Sequence, residues 1–316
     1  MSHPLGFLGA AYASTLLFGC ATIDPAPFER FRVTTERMRT GVDALLLLDY
    51  EWSKRGFIDR LERESPESLG ILFLEFDPED PFRARLEEPP LFLGIRADRD
   101  RLNRVAVAFA RYANLLASLT GSRPPKGEAF DKLARDLNSE LERAEASLGT
   151  HDPEQARGRR ALLSTGASEA IRSYFDRNRA RELRRTITEA DPLVVRLAEA
   201  AAEATQNVRD DLRTEYDARK VVLSRNYAEA RKGRSRREPR VRIEELIELD
   251  ETLLDTLSTL EALRETFRTL PEAHAELGEQ IDELEAPRDR LREFYERGRH
   301  LRDLYLELTR ARSRRR

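Results

Sequence analysis

The feature that most constrains the fold is a helical repeat of apolar residues in the carboxyl-terminal half of the chain. From Glu154 to Lys232 there is almost no strong helix breaker, and apolar residues recur every three or four positions from Leu197 to Ala230. This spacing places them on one face of a helix. A helix from Pro192 to Lys232 would be about 60 Å long at 1.5 Å per residue. We therefore expect long helices that need a neighbour to cover that face.

Two further apolar repeats follow this segment. One runs from Leu246 to Leu270 in nearly heptad steps, and the other continues to Leu308. Pro192 should start a new helix or kink a continuous one. Thr269 and Glu272 have the spacing of a capping box, which predicts that the last helix starts there. Three long segments joined by short turns predict an all-α, elongated bundle of antiparallel, coiled-coil-like helices over residues 151–316.

Residues 28–150 form a second, amino-terminal helical region. Its helical repeat extends from Phe28 to about Leu61 and returns at Leu102. Between them, residues 63–96 form an irregular insertion with two short apolar runs, 71–76 and 91–95. Each run is either a strand or an extended loop packed over the helices.

Composition excludes several classes of protein. The 316 residues contain one cysteine, which excludes an intramolecular disulfide framework and a multi-cysteine zinc site. The formal net charge of -3 argues against a nucleic-acid-binding chain, which would normally be strongly basic. Charged residues of both signs make up 36% of the chain, which fits the solvated faces of long helices.

That single cysteine, Cys20, follows an unusual segment. The first 19 residues contain no Asp, Glu, Lys or Arg, and the apolar stretch from Leu5 to Phe18 is shorter than the roughly 20 residues that span a bilayer. Its length is typical of a signal peptide. Leu17-Phe18-Gly19-Cys20 resembles the lipobox of a bacterial lipoprotein precursor, over about the first 24 residues. The alternative is a buried amino-terminal helix with a free thiol.

The resemblance implies a location for the protein. Residues 1–19 would be removed as a signal peptide, Cys20 would carry diacylglycerol and palmitate, and residues 20–27 would form a lipidated tether. The membrane would then be a partner through this lipid. Ala21, in place of the Asp that often signals retention at the inner membrane, implies an outer-membrane protein facing the periplasm.

Motifs for catalysis or metal binding are not found in the sequence. We expect no catalytic residue, cofactor or metal site. His151 is expected at a helix start, and His274 and His300 at surface or flanking positions. The acidic segment with Asp77, Glu79 and Asp80 favours a solvated turn, and an envelope hydrolase that uses these carboxylates is the least favoured function.

Two arginine clusters are the strongest local charge features. They suit an anionic lipid or an acidic partner, or they are a solvated turn and a frayed tail. The residues are Arg234, Arg236, Arg237 and Arg240 in one cluster and Arg314, Arg315 and Arg316 in the other. The favoured function is a lipid-anchored envelope protein that binds or scaffolds a protein partner, or self-associates, through its helices. A holdase-like chaperone or assembly factor of the periplasm is the alternative.

Overall fold

The computed structural model describes residues 23–61, 74–76, 84–86, 91–121, 170–233, 237–281 and 288–314, with single helical positions between 132 and 146. The long helices of these ranges are α1 (Ala26–Leu61), α2 (Leu91–Thr120), α3 (Ala170–Ala230), α4 (Arg237–Glu279) and α5 (Asp289–Arg314). The predicted all-α bundle of long antiparallel helices is confirmed. Within the described ranges, no helix is long and apolar enough to cross a membrane.

The α3–α4 hairpin is the longest feature of the fold. Helix α3 has 61 residues, about 90 Å at 1.5 Å per residue, and it is continuous through Pro192. Side-chain hydrogen bonds join α3 to α4 at three levels. They are His274 to Asp191, Arg264 to Gln206 at 2.9 Å, and Tyr216 to Asp250. This antiparallel register aligns the two apolar faces over most of their length.

Helix α4 does not end where the sequence suggested. It continues through Pro271 to Glu279, and α5 begins only at Asp289, so the predicted capping box at Thr269 is wrong. The Thr269 hydroxyl instead donates to the Glu265 carbonyl of its own helix at 3.2 Å. Buried residues on both sides of Pro271 continue the apolar face of α4, and this packing outweighs the backbone hydrogen bond that proline removes.

Helix α1 packs beside α5 in a parallel orientation. It begins at Ala26, whose N–H donates to Asp24 Oδ1 at 2.9 Å, two residues before the predicted start of the helical region at Phe28. Pro27 lies in the first turn, where a backbone N–H has no intrahelical acceptor, so the N–H that proline lacks removes no helical hydrogen bond. Farther along, Gly298 of α5 lies against the Thr34 side chain, and this close approach requires glycine.

The two apolar runs of the insertion have different structures. Leu74–Phe76 is strand β1, which pairs antiparallel with β2 (Ala84–Leu86) in the register Leu74 to Leu86. The second run lies inside α2, which begins at Leu91, so the prediction of a strand or loop for 91–95 is wrong. The physical reason is continuity, because no proline separates that run from the helical repeat of Leu102 and Val105.

The core is thickest where all five helices meet, a region that we call the body. Its largest buried side chains include Phe31 of α1, Phe267 of α4 and Phe294 of α5. The Phe31 and Phe294 ring centroids are 5.3 Å apart, and Phe267 contacts Phe109 of α2 at 6.3 Å. Burying each such ring contributes about 1.5–3 kcal/mol.

Beyond the body, residues 213–230 of α3 and 237–254 of α4 form what we call the distal arm. Helix α1 reaches along one side of it, where Trp52, Leu223 and Leu249 border a cavity of about 490 Å³. The opposite side of the arm carries exposed apolar residues.

Candidate functional site

A buried polar cluster lies at the centre of the body. His274 is fully buried (0% exposed), so its predicted surface or flanking position is wrong. Its Nδ1 lies 2.9 Å from Asp191 Oδ1, and its Nε2 lies 2.7 Å from the Tyr112 hydroxyl. The cluster therefore links α2, α3 and α4. A sequence signal did exist, because Phe267, Leu270, His274 and Leu277 share one helical face.

The two contacts of His274 fit the tautomer in which Nδ1–H donates to the Asp191 carboxylate and Nε2 accepts from the Tyr112 O–H. Burial raises the pKa of Tyr112, which keeps this donor protonated. The rings of Phe31 and Tyr112 lie beside the imidazole, with centroids 6.4 and 5.5 Å away. His274 has no face open to a substrate in this structure. The hydrogen bonds of the cluster therefore hold α2, α3 and α4 together.

A second buried polar group caps α5. Glu276 is 5% exposed, and its Oε2 accepts a hydrogen bond from the Leu291 N–H at 2.6 Å. The Glu276 Oε1 atom is buried and has no partner among the described residues. Burial is the largest cause that raises the pKa of this carboxyl. Glu276 thus fixes the corner between α4 and α5 at a cost in desolvation.

The structure places part of each predicted arginine cluster. Arg237 and Arg240 are exposed in the first turn of α4, at the end of the distal arm. Arg240 pairs with Glu244 at 2.9 Å. Arg314 is the last residue of α5. Arg234, Arg236, Arg315 and Arg316 lie outside the described residues, as do Cys20 and the lipobox-like segment.

The α4–α5 register relates these two clusters. The ion pairs of Arg290 with Glu272 and of Arg297 with Glu265 show that the helices run antiparallel. Extended to the end of α5, this register brings Arg314 level with Glu248, about 12 Å along α4 from Arg240 at 1.5 Å per residue. Arg240 and the carboxyl-terminal end of α5 therefore both lie toward the distal arm.

The distal arm carries an exposed apolar stripe. It consists of Ile243, Ile247 and Leu254, which are 42%, 51% and 64% exposed. We call these three residues the outer stripe. At 3.6 residues per turn they fall within about 40° on α4, and the buried Leu249 and Leu260 point more than about 100° away. The sequence seam from Leu246 to Leu270 predicted the buried face but not this second one.

Acidic side chains surround the outer stripe. From Ile243 to Glu261 the chain has seven Asp and Glu residues and no Lys or Arg. Those exposed beside the stripe are Glu244, Asp250, Glu251 and Asp255. Glu244 pairs with Arg240, and Asp250 pairs with Lys220. An exposed apolar stripe bordered mostly by acidic side chains is the pattern of a surface that binds an amphipathic partner.

Of the other positions singled out in the sequence, His300 is described and is exposed, as expected. His151, Asp77, Glu79 and Asp80 lie outside the described residues. Within the described part of the chain, no group of three His, Cys, Asp or Glu side chains is placed to hold a metal ion.

Comparison of the chain with protein-family models, with curated proteins and with solved structures finds no match.

Proposed function

We propose that this protein is a lipid-anchored cell-envelope protein that binds a protein partner through the distal arm and has no catalytic role. The outer stripe is the observation that carries the proposal. Three large apolar side chains on one solvent face of α4 would lose contact with water when another molecule covers them, which favours association.

The partner that this surface suits is a basic amphipathic helix. Its apolar face would pack along the stripe, which extends from Ile243 to Leu254, or about 16 Å of α4 at 1.5 Å per residue. Its Lys or Arg residues would meet Glu244, Glu251 and Asp255. Charge complementarity of this kind speeds encounter and selects the partner.

The anchor is a separate part of the proposal. Acylation of Cys20 would hold the protein at the outer membrane, facing the periplasm. Palmitate labelling of the full chain in its native cells should be lost in Cys20→Ala. Labelling that persists in this variant, or that is absent from the unmodified protein, would remove the anchor and leave the partner-binding face to be tested by itself.

A holdase-like chaperone is the second candidate, and the same stripe favours it. Unfolded clients bind exposed apolar residues without regard to a defined partner. The two functions differ in selectivity, since a holdase should suppress the aggregation of an unrelated denatured protein in proportion to its concentration. Loss of that suppression in Leu254→Ser would favour the holdase.

Photo-crosslinking in the native envelope tests the partner-binding face. A photoreactive amino acid is placed at Leu254 and, as a control, at Arg268. These side chains lie on the same side of α4 and have similar exposures of 64% and 62%. We expect one discrete adduct from position 254 and none from position 268. Its partner peptide, identified by mass spectrometry, should be basic and amphipathic.

Reversing the acidic charge beside the stripe tests whether the partner is basic. The Glu244→Lys and Glu251→Lys double variant should abolish the adduct, because a basic partner would meet like charges. An adduct with the mass of two copies of this chain would identify the partner as a second copy. Equal labelling from positions 254 and 268, or an adduct that charge reversal leaves unchanged, would contradict the proposal.

A further inference from the structure

A groove between α1 and α5 brings together arginines from two segments that are distant in the sequence. It has a volume of about 620 Å³, and five arginines line it. We call it the arginine groove. Arg30 and Arg37 lie two turns apart on α1, and Arg288, Arg292 and Arg299 line the α5 side. Glu29 is the only acidic residue among those that line it.

The packing of α1 against α5 holds the two rows of arginines opposite each other. The Tyr295 hydroxyl donates to the Pro27 carbonyl at 2.8 Å, and Thr34 contacts Gly298 one turn farther along. The helices are therefore parallel, and their amino-terminal ends lie at the same end of the groove. Each helix end contributes partial positive charge there.

Carboxylates near the groove are already engaged or distant. Glu29 pairs with Arg32 at 2.5 Å, outside the lining, and Asp289 pairs with Arg292 at 2.8 Å. The pairs of Asp24 with Arg288 and of Glu296 with Arg299 are long, at 3.9 Å. Within the described part of the chain, no carboxylate oxygen lies within 4 Å of a guanidinium nitrogen of Arg30 or Arg37.

The surroundings of Arg37 show the same excess of positive charge. Burial lowers the pKa of this guanidinium, and the nearby charges of Arg302 and Arg299 lower it further, although Tyr305 and Asp303 raise it in part. An anion in the groove would offset both effects, since it would neutralise repulsion among the arginines and accept their N–H groups.

We propose that the arginine groove binds a phosphate group. The planar guanidinium groups of Arg30 and Arg37 would each offer paired N–H donors that match phosphate oxygens. The inference concerns a different face from the partner-binding stripe, and phosphate binding depends on neither the partner nor the anchor.

The ligand has two possible sources, a lipid headgroup and a free phosphate compound. Ala26 and Pro27 border the groove, and Cys20 precedes Ala26 by six residues. Six residues span at most about 20 Å. An acylated Cys20 would therefore bring the groove within reach of a bilayer surface, which makes the phosphate of an anionic lipid one source.

The test uses the full chain, calorimetric titration with inorganic phosphate, and flotation with two kinds of vesicle. One vesicle contains phosphatidylcholine only, and the other also contains phosphatidylglycerol. The test variant is the double substitution Arg30→Gln and Arg37→Gln. The control, Arg104→Gln and Arg268→Gln, removes the same charge from exposed positions on α2 and α4 that belong to neither the groove nor the sequence clusters. Circular dichroism and thermal unfolding establish that both variants fold.

We expect the groove variant to bind phosphate at least about tenfold more weakly and the control to stay within about twofold, because paired Arg–phosphate hydrogen bonds depend on position as well as charge. Arg30→Lys with Arg37→Lys should give an intermediate loss. Binding to phosphatidylglycerol vesicles that the groove variant lacks identifies a headgroup, and binding to soluble phosphate alone identifies a free ligand. No phosphate binding by the unmodified protein, or equal losses in the groove and control variants, would overturn the proposal.

Discussion

The body and the distal arm are built from the same two helices in different surroundings. In the body, α4 buries Leu260, Leu263, Phe267 and Leu270 against four other helices, and its solvent face is charged. In the distal arm, α4 buries few large residues, and the outer stripe faces solvent. The difference indicates that apolar residues stabilise the fold in the body, whereas the exposed ones in the arm contribute little to it and are available for the contact that we propose.

The largest difference should appear when a large apolar side chain is removed from each region. Phe267→Ala should lower the free energy of unfolding by about 3–5 kcal/mol, because it leaves a cavity in a packed core. Leu254→Ala should change it by less than about 0.5 kcal/mol, as expected for an exposed position. Urea unfolding of both variants measures this. Similar losses would show that the arm is as tightly packed as the body.

Removing one tyrosine hydroxyl from each region compares a buried polar contact with an exposed one. Tyr112→Phe should cost about 1–3 kcal/mol, since it leaves the buried Nε2 of His274 without a donor. Tyr216→Phe removes a hydroxyl that contacts Asp250 and Lys220 at the surface, and it should cost less than about 0.5 kcal/mol. Thermal unfolding of the two variants measures both losses of stability. A harmless Tyr112→Phe would mean that the buried cluster does not fasten the helices.

Close packing within the body can be tested at two glycines of the α1–α5 contact. In Gly298→Ala the new methyl group would overlap the Thr34 side chain, so we expect a net loss of about 1 kcal/mol after the gain in helix propensity. Gly41→Ala places its methyl group 3.4 Å from Leu301, an ordinary contact, and should be neutral or stabilising. Denaturation midpoints of the two variants measure these changes in stability. Adding Thr34→Ala to Gly298→Ala should restore the lost stability. Equal effects of the two alanines would contradict parallel close packing.

A smaller, pH-dependent effect should appear at the corner of the body. The raised pKa of Glu276 means that the folded state favours its protonated form, so its contribution to stability is present at low pH and is lost as pH rises through the folded pKa. Glu276→Gln keeps an oxygen acceptor for Leu291. Its stability relative to the unmodified protein should therefore increase from acid to neutral pH. Glu251→Gln, in the distal arm, controls for the loss of one charge, and a pH-independent difference for Glu276→Gln would contradict the account.

Sequence reasoning identified the parts of the fold that depend on local periodicity. The long helices and their buried seam could be predicted because Leu249, Leu260 and Leu270 recur at helical spacing. The passage of α4 through Pro271 could not, because tertiary burial on both sides of the proline outweighs its local preference. His274 was misplaced because the donors that make its burial favourable, Tyr112 and Asp191, are distant in sequence.

The two proposed binding surfaces could not be predicted from the sequence, because each depends on how the helices pack. Residues of the outer stripe are neighbours on one helix, yet their exposure depends on which faces of α4 the other helices cover. Arg30 and Arg288 are more than 250 residues apart, and only the parallel packing of α1 with α5 brings them to one groove. The arginine clusters evident in the sequence are local in the chain, and Arg240 at the end of the arm already pairs with Glu244.

The most direct test of the account measures stability and partner binding on the same protein. The double variant Ile247→Ser and Leu254→Ser should keep its free energy of unfolding within about 0.5 kcal/mol of the unmodified protein, because both positions are exposed. In native-envelope crosslinking from position 251, the partner adduct should fall at least about tenfold, since the apolar contact that holds the partner is lost. An adduct at its original level, or a loss of stability like that of Phe267→Ala, would contradict the assignment of this face to partner binding.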